Sequence, residues 1–225
     1  MIRLKLVEDT HRVDWIVDSL TTFAESIYSF VPRGFDAYVR VFHPAYLEGR
    51  PVSWAEIAVA NRKQAHPGMV FGALSGREEH EVQAGVFDGQ PEQGNLPSDL
   101  IPPLVEVLSR HTESRERCWF AVWDGWGSLR PELRHQPTFA TPGREYVLLS
   151  GPLECASEDL SDGWEQSANI WWPDDHAWCV ATEIDLLETY IGCSQACRDD
   201  LLQAGLLEAL EVDPLRDWGR DSING

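Results

Sequence analysis

Three runs of residues constrain this chain more than anything else in it. CWFAVWD (118–124) and YVLLSG (146–151) are almost continuously apolar, and WCVATEID (178–185) is apolar until its acidic end. No helix-periodic segment separates one run from the next. Strands that follow one another this way pair antiparallel, because a parallel partner needs a long crossover, usually a helix. The expected fold class is α+β: a mostly antiparallel central sheet with flanking helices, in a single domain spanning residues 1–225. A chain of 225 residues buries roughly 70% of the surface its unfolded form exposes, so its core needs no staples.

The remaining segments supply the flanking elements. Val13, Ile16, Val17, Leu20, Ala24 and Ile27 recur at helical spacing after a cap at Asp9 or Thr10, which predicts a first helix broken at Pro32 and Gly34. FDAYVRVFHP (35–44) reads as a strand stopped by Pro44. Ser53 and Glu56 form a capping box that opens a helix of about three turns. MVFGAL (69–74) reads as a strand, and the polar stretch after it as a hairpin arm and a long loop. Ser98 caps a helix through Ile101, Leu104, Val105 and Leu108, with Pro102 and Pro103 in its first turns. Ser194 caps a late helix stopped at Gly205, LEALEV (207–212) is a short strand, and a loosely ordered tail follows from about 213.

The formal net charge is −19. Such a surface repels phosphate backbones and anionic membranes, so neither nucleic acid nor a membrane is expected as a partner. A basic protein or a cationic small ligand is favoured instead. Lys5 and Lys63 are the only lysines, an arginine bias that a GC-rich bacterial coding sequence gives. MIRLKLVEDTHRVDW lacks the apolar run of a signal peptide, which makes the cytoplasm the expected location. The five cysteines are Cys118, Cys155, Cys179, Cys193 and Cys197. Their odd number and the absence of Cys-x-x-Cys argue against a disulfide framework or a zinc ribbon. The histidines show no His-x-x-x-His or His-Glu-x-x-His spacing. Gly-x-Ser-x-Gly, a phosphate loop and a dinucleotide fingerprint are likewise absent. No metal and no cofactor is expected.

Candidate site residues concentrate in NIWWPDDHAWCVATEID (169–185). Pro173 and Asp174 suit the second and third positions of a type I turn. On the returning strand, Trp178, Val180, Thr182 and Ile184 share one face, and Ala177, Cys179, Ala181, Glu183 and Asp185 share the other. Glu183 and Asp185 then lie about 7 Å apart, a spacing for a shared cation or an acid/base pair, or simply for acids on a wet face. Asp175 and His176 form a candidate Asp–His pair at the turn, beside Trp171 and Trp172. In WDGWG (123–127) a strand ends at Asp124, and Trp126 stands between two glycines as a possible ligand platform or as a tryptophan folded onto the core. His43 ends a strand and His111 ends a helix, where cationic side chains are favoured.

Several stretches together resemble a group of uncharacterised proteins from actinobacteria. The carriers are FHPA (42–45), the His111-Thr112 pair, AVWDGWG (121–127), and above all WWPDDHAWCVATEID (171–185) followed by TYIG (189–192). The resemblance spans most of the chain and implies no known activity. Members of that group tend to carry arginine where this chain has His176 and glycine where it has Cys193, so a shared chemistry at position 176 would have changed here.

Two functions are compatible with these residues. One is a non-catalytic binding or interaction module, acidic and inhibitor- or immunity-like, with a basic partner. The alternative is a small hydrolase or metal-assisted enzyme whose site lies at the ends of the central strands and draws on Asp124, Asp175, His176, Glu183 and His43.

Overall fold

The computed structural model describes residues 3–78 and 81–215. In chain order, β1 (Lys5–Leu6) leads into a 3-10 turn and a single-turn α1 (Asp14–Val17). β2 (Ala37–Phe42) is followed by the hairpin β3 (Ala45–Leu47) and β4 (Arg50–Val52), then α2 (Trp54–Ala60) and α3 (Phe71–Ser75). After α4 (Ile101–Leu108) come β5 (Cys118–Trp123), β6 (Thr138–Thr141), β7 (Arg144–Gly151), β8 (Ile170–Pro173), β9 (Cys179–Ala181) and β10 (Glu188–Cys193). The described chain closes with α5 (Gln195–Gln203) and β11 (Ala209–Glu211).

Among the described residues, nine strands build one sheet in the order β1-β7-β5-β8-β9-β10-β2-β11, with β6 also on β7. Every pairing is antiparallel. The α+β reading therefore holds. At the centre, Phe120 faces Trp171 and Ala121 faces Ile170 across β5 and β8, while Ile191 faces Val180 across β10 and β9.

Both faces of this sheet are buried. One carries Val39, Val41, Phe120, Val122, Trp171, Trp178, Val180 and Ile191 against α4, α5 and a 3-10 turn at 153–157. The other carries Tyr38, Ala121, Leu148, Ile170, Trp172, Cys179 and Tyr190 against the segment 13–31. A third cluster joins Phe42 to α2, α3 and Phe87. Antiparallel sheets commonly leave one face wet, but this one has the near-continuous apolar strands of a sheet covered twice.

The caps decide several helix starts. Ser53 accepts from the Glu56 N–H at 3.1 Å and Glu56 reaches back to the Ser53 N–H at 2.8 Å, forming the expected capping box. The helix it opens is shorter than the expected three turns. Ser194 Oγ accepts from Cys197 N at 3.3 Å, as its position implied.

Four local expectations are corrected. The first helix does not run from 13 to 27: it stops at Val17, Ser19 Oγ turns back to Ile16 O, and Thr21 N bonds to Tyr28 O. Hydroxyl side chains offering local hydrogen bonds compete with helix there. MVFGAL is not a strand: Phe71–Ser75 is helical and ends at Gly76 in the left-handed region. Ser98 does not cap α4, whose N-cap is Leu100 without a side-chain bond. The third apolar run is a strand only over Cys179–Ala181: Thr182 N still bonds to Asn169 O, but the chain then turns at Ile184 and Asp185. From 216 onward the expected loose tail lies outside the described residues.

Leu104 is fully buried where α4 meets the sheet. Replacing it with alanine is expected to lower unfolding free energy by about 2–5 kcal/mol through lost transfer energy and a cavity. Urea denaturation of Leu104→Ala checks this, and a loss within error would show that α4 is not part of the cooperative core.

Candidate functional site

Because β5, β9 and β2 end where β7, β8 and β10 begin, one end of the sheet gathers residues from six strands. This end holds His43, Trp123 to Trp126, Arg144, Asn169, and Thr182 to Asp185. His43 is completely buried. Its Nδ1 lies 2.7 Å from the Glu92 carbonyl and its Nε2 lies 2.9 Å from Thr189 Oγ1, which is itself 2.7 Å from Thr182 Oγ1. A carbonyl only accepts, so Nδ1 carries the proton, and a neutral ring then accepts the Thr189 hydroxyl proton at Nε2. Burial drives the His43 pKa down to about 4, against a smaller upward pull from the Glu92 carbonyl bond.

Asn169 is the second centre of this network. Its Nδ2 donates to the carbonyls of Gly94 and Thr182, both at 3.2 Å. Its Oδ1 accepts from Trp123 N at 2.9 Å and from Trp126 Nε1 at 3.3 Å. Trp126 is thus half-buried and tethered, standing edge-on to Trp123 at 5.2 Å. Gly94 has φ +72, and a β-carbon there would collide with the Ile184 carbonyl, so only glycine lets this loop approach the sheet.

Glu183 and Asp185 do share a cation, and it is Arg144. Arg144 Nε donates to Glu183 Oε1 at 2.9 Å and its Nη2 donates to Asp185 Oδ2 at 2.7 Å. The guanidinium also lies over the rings of Phe23 and Trp123. Glu183 is buried at 4% side-chain exposure, whereas Asp185 is 66% exposed. Arg144 and Asp124 line a cleft of about 490 Å³ with Trp123, Thr141 and Glu145. Asp185 lines a neighbouring cleft of about 440 Å³ with Phe71, Arg77 and Gln90.

The other candidates lie at the opposite end of the sheet. His176 N bonds to Pro173 O at 2.9 Å, so the turn starts at Pro173 and centres on Asp174 and Asp175, one residue later than expected. Asp174 pairs with Arg117 at 2.5 Å and accepts from Trp119 Nε1 at 3.2 Å. Asp175 accepts from Thr112 Oγ1 at 2.8 Å, Glu113 N at 2.8 Å and Ala177 N at 3.2 Å. Burial alone would raise its pKa, but these donors outweigh burial and hold it below the usual carboxylate range. His176 adopts a positive φ of 55 and stacks on Trp15 at 4.1 Å, where burial lowers its pKa against the pull of Asp174 and Asp175. Trp171 and Trp172 are core residues on opposite faces of β8.

The structure therefore divides the candidates between two ends. His43, Asp124, Trp126, Glu183 and Asp185 share one, and Asp175 and His176 share the other. Of the enzyme candidates, only Asp124 lines either cleft. Among the described residues, no group of three or more His, Cys, Asp or Glu side chains is placed to hold a metal ion, and no helix is long and apolar enough to cross a membrane. A search of family models, of curated proteins and of solved structures returns no match to the chain.

Three residues central to this architecture are not among the sequence candidates. Arg144 lies 39 positions from Glu183. Asn169 opened the ribbon but had no motif around it. Arg40 occupies an otherwise apolar strand, paired with buried Glu188 at 2.8 Å and enclosed by Phe42, Trp54 and Tyr190. An arginine within such a run is a signal in hindsight, since an arginine is rarely buried without a partner.

Two outcomes follow. Glu183→Ala is expected to cost on the order of 2 kcal/mol, since it strips a hydrogen-bonded partner from a mostly buried guanidinium. Asp185→Ala should cost under about 1 kcal/mol, as exposed pairs do. Equal losses in chemical denaturation would contradict this assignment. His43 has a folded pKa of about 4, below the ordinary value of about 6.5. The unfolded chain therefore takes the proton more readily, and the stability from neutral His43 is complete above about pH 6.5 and lost as pH falls toward 4. The stability difference between the parent and His43→Gln should shrink over that window by about 3 kcal/mol. A difference independent of pH would show that His43 is not held neutral.

Proposed function

We propose that the chain is a non-catalytic binding module for a basic partner, as in an inhibitor or immunity-type protein that covers a cationic surface. One observation carries this reading: the groups best suited to chemistry are already engaged by the chain's own donors and acceptors, while many surface carboxylates have no counterion among the described residues. His43 is neutral and enclosed, Glu183 is held by Arg144, and Asp175 is saturated with donors. By contrast Asp18, Glu25, Asp36, Glu106, Asp162 and Glu165 are exposed and have no cation partner among the described residues. With a net charge of −19, the uncompensated field favours encounter with basic surfaces.

An enzyme at the strand ends remains the second reading. The cleft beside Trp123 supports it, because Asp124 and Arg144 face one solvent-accessible space. It has less support, since Asp175 and His176 stand at the far end of the sheet.

Titration of the immobilised chain against defined basic proteins and against acidic proteins of similar size tests the first reading. Binding should be confined to the basic set and weaken by about tenfold between 50 and 200 mM salt, as screening shortens the reach of surface charge. Equal binding of both sets, or none of either, contradicts it.

A further inference from the structure

Trp164 is 85% exposed. The other tryptophans among the described residues are buried or half-buried. This exposure does not come from a loose loop. Leu160 N bonds to Gln166 O at 2.9 Å, and the Asp159 carboxylate accepts from both Ser161 N and Gln166 N at 3.0 Å. Asp162 N bonds to Ser128 O, Ser161 Oγ donates to the same carbonyl, and Gly163 N bonds to Ser161 Oγ. Leu160 plugs fully into the core beneath. The base of the loop is fixed, and it holds a large apolar ring in water.

Carboxylates surround the base of this loop. Asn95 Nδ2 donates to Glu92 Oε2 at 2.8 Å and to the Glu165 carbonyl at 3.1 Å, which joins the 92–95 segment to the tryptophan loop. Burial raises the Glu92 carboxyl, the Asn95 bond opposes this, and the nearby charges of Asp99 and Glu165 raise it further. Glu165 follows Trp164 directly in sequence, and Asp162 lies two residues before it. None of Glu92, Asp99, Asp162 and Glu165 has a cationic partner among the described residues. An exposed aromatic ring on a loop that also carries unpaired acids matches an arginine or lysine side chain twice, through the ring face and through the charge.

We propose that Trp164, with Glu92, Asp99 and Glu165, is the contact surface for an arginine- or lysine-bearing segment of a partner protein, a cationic side chain lying across the indole. This rests on the basic-partner reading and assigns it a place on the molecule. The cationic segment is favoured over an apolar one because the surrounding acids would be left unpaired against an apolar partner.

The test is fluorescence anisotropy with a labelled arginine-rich peptide and an acidic peptide of equal length. Trp164→Ala should weaken binding of the basic peptide by about tenfold or more, and Trp164→Phe by about threefold or less, since the ring face is kept. Glu92→Gln with Asp99→Asn should weaken it by about tenfold and flatten its salt dependence. Glu113→Gln with Glu116→Gln, at the opposite end of β5, should change it by less than about twofold. Thermal midpoints verify that each variant folds. Binding that survives Trp164→Ala, or that falls equally in both charge-neutralised pairs, overturns this surface and leaves the basic-partner reading standing. Failure of the parent to bind the basic peptide overturns both.

Discussion

The covering of the central sheet on both faces is the constraint from which the rest of the structure follows. Strands β5, β8, β9, β10 and β2 alternate apolar side chains between two cores. A strand in that position has no solvent face on which to place polar residues. Polar side chains are therefore driven to the strand ends, or must be satisfied where they are buried. Arg40 shows the second solution for its charge, though not for every donor: Glu188 meets the charge, Nη1 donates to the Pro67 carbonyl at 2.8 Å and three aromatic rings close around it, while its buried Nε has no partner among the described residues. It sits where the second apolar cluster gives way to the third, between Tyr38 and Phe42 on one face of β2.

The strand ends show the first solution. His43, Thr189 and Thr182 form a chain of hydrogen bonds that returns the polar edge of the sheet to the Glu92 loop. Asn169 ties the same edge to Gly94 and to the tryptophans after β5. Arg144 closes the end by bridging Glu183 and Asp185 and lying over Trp123. These residues have the types expected of a catalytic site, but each has a structural task with its donors and acceptors already committed. Such a network fixes register and loop position. The carboxylates it does not engage lie on the exterior, where the proposed partner surface is placed.

Much of the fold is legible in the sequence where local physics decides. The apolar runs at 118–124 and 146–151 needed no tertiary information to read as strands, and Ser53, Glu56 and Ser194 announced their helices through cap chemistry. The failures have a common cause. MVFGAL is a short apolar run, and periodicity alone does not separate a buried strand from a helical turn. The residues Val13, Ile16 and Ile27 do reach the core as their spacing implied, but through short turns and a bend at Thr21 and Thr22. Sequence leaves Glu183 and Asp185 open as a cation-sharing pair, an acid/base pair or acids on a wet face, and the cation they share is a side chain from another strand, which no local pattern reveals. Trp164 was hidden for the opposite reason: in a chain with ten tryptophans, sequence does not say which one is left in water.

The central claim is that the working surface is the acidic exterior around Trp164 and not the strand-end network. Amide hydrogen exchange of the chain, with and without a bound arginine-rich peptide, tests it most directly. The account predicts added protection in 92–99 and 159–168, with the segments 123–127 and 141–145 unchanged. Protection confined to 123–127 and 141–145 would move the site to the cleft beside Arg144 and contradict the account.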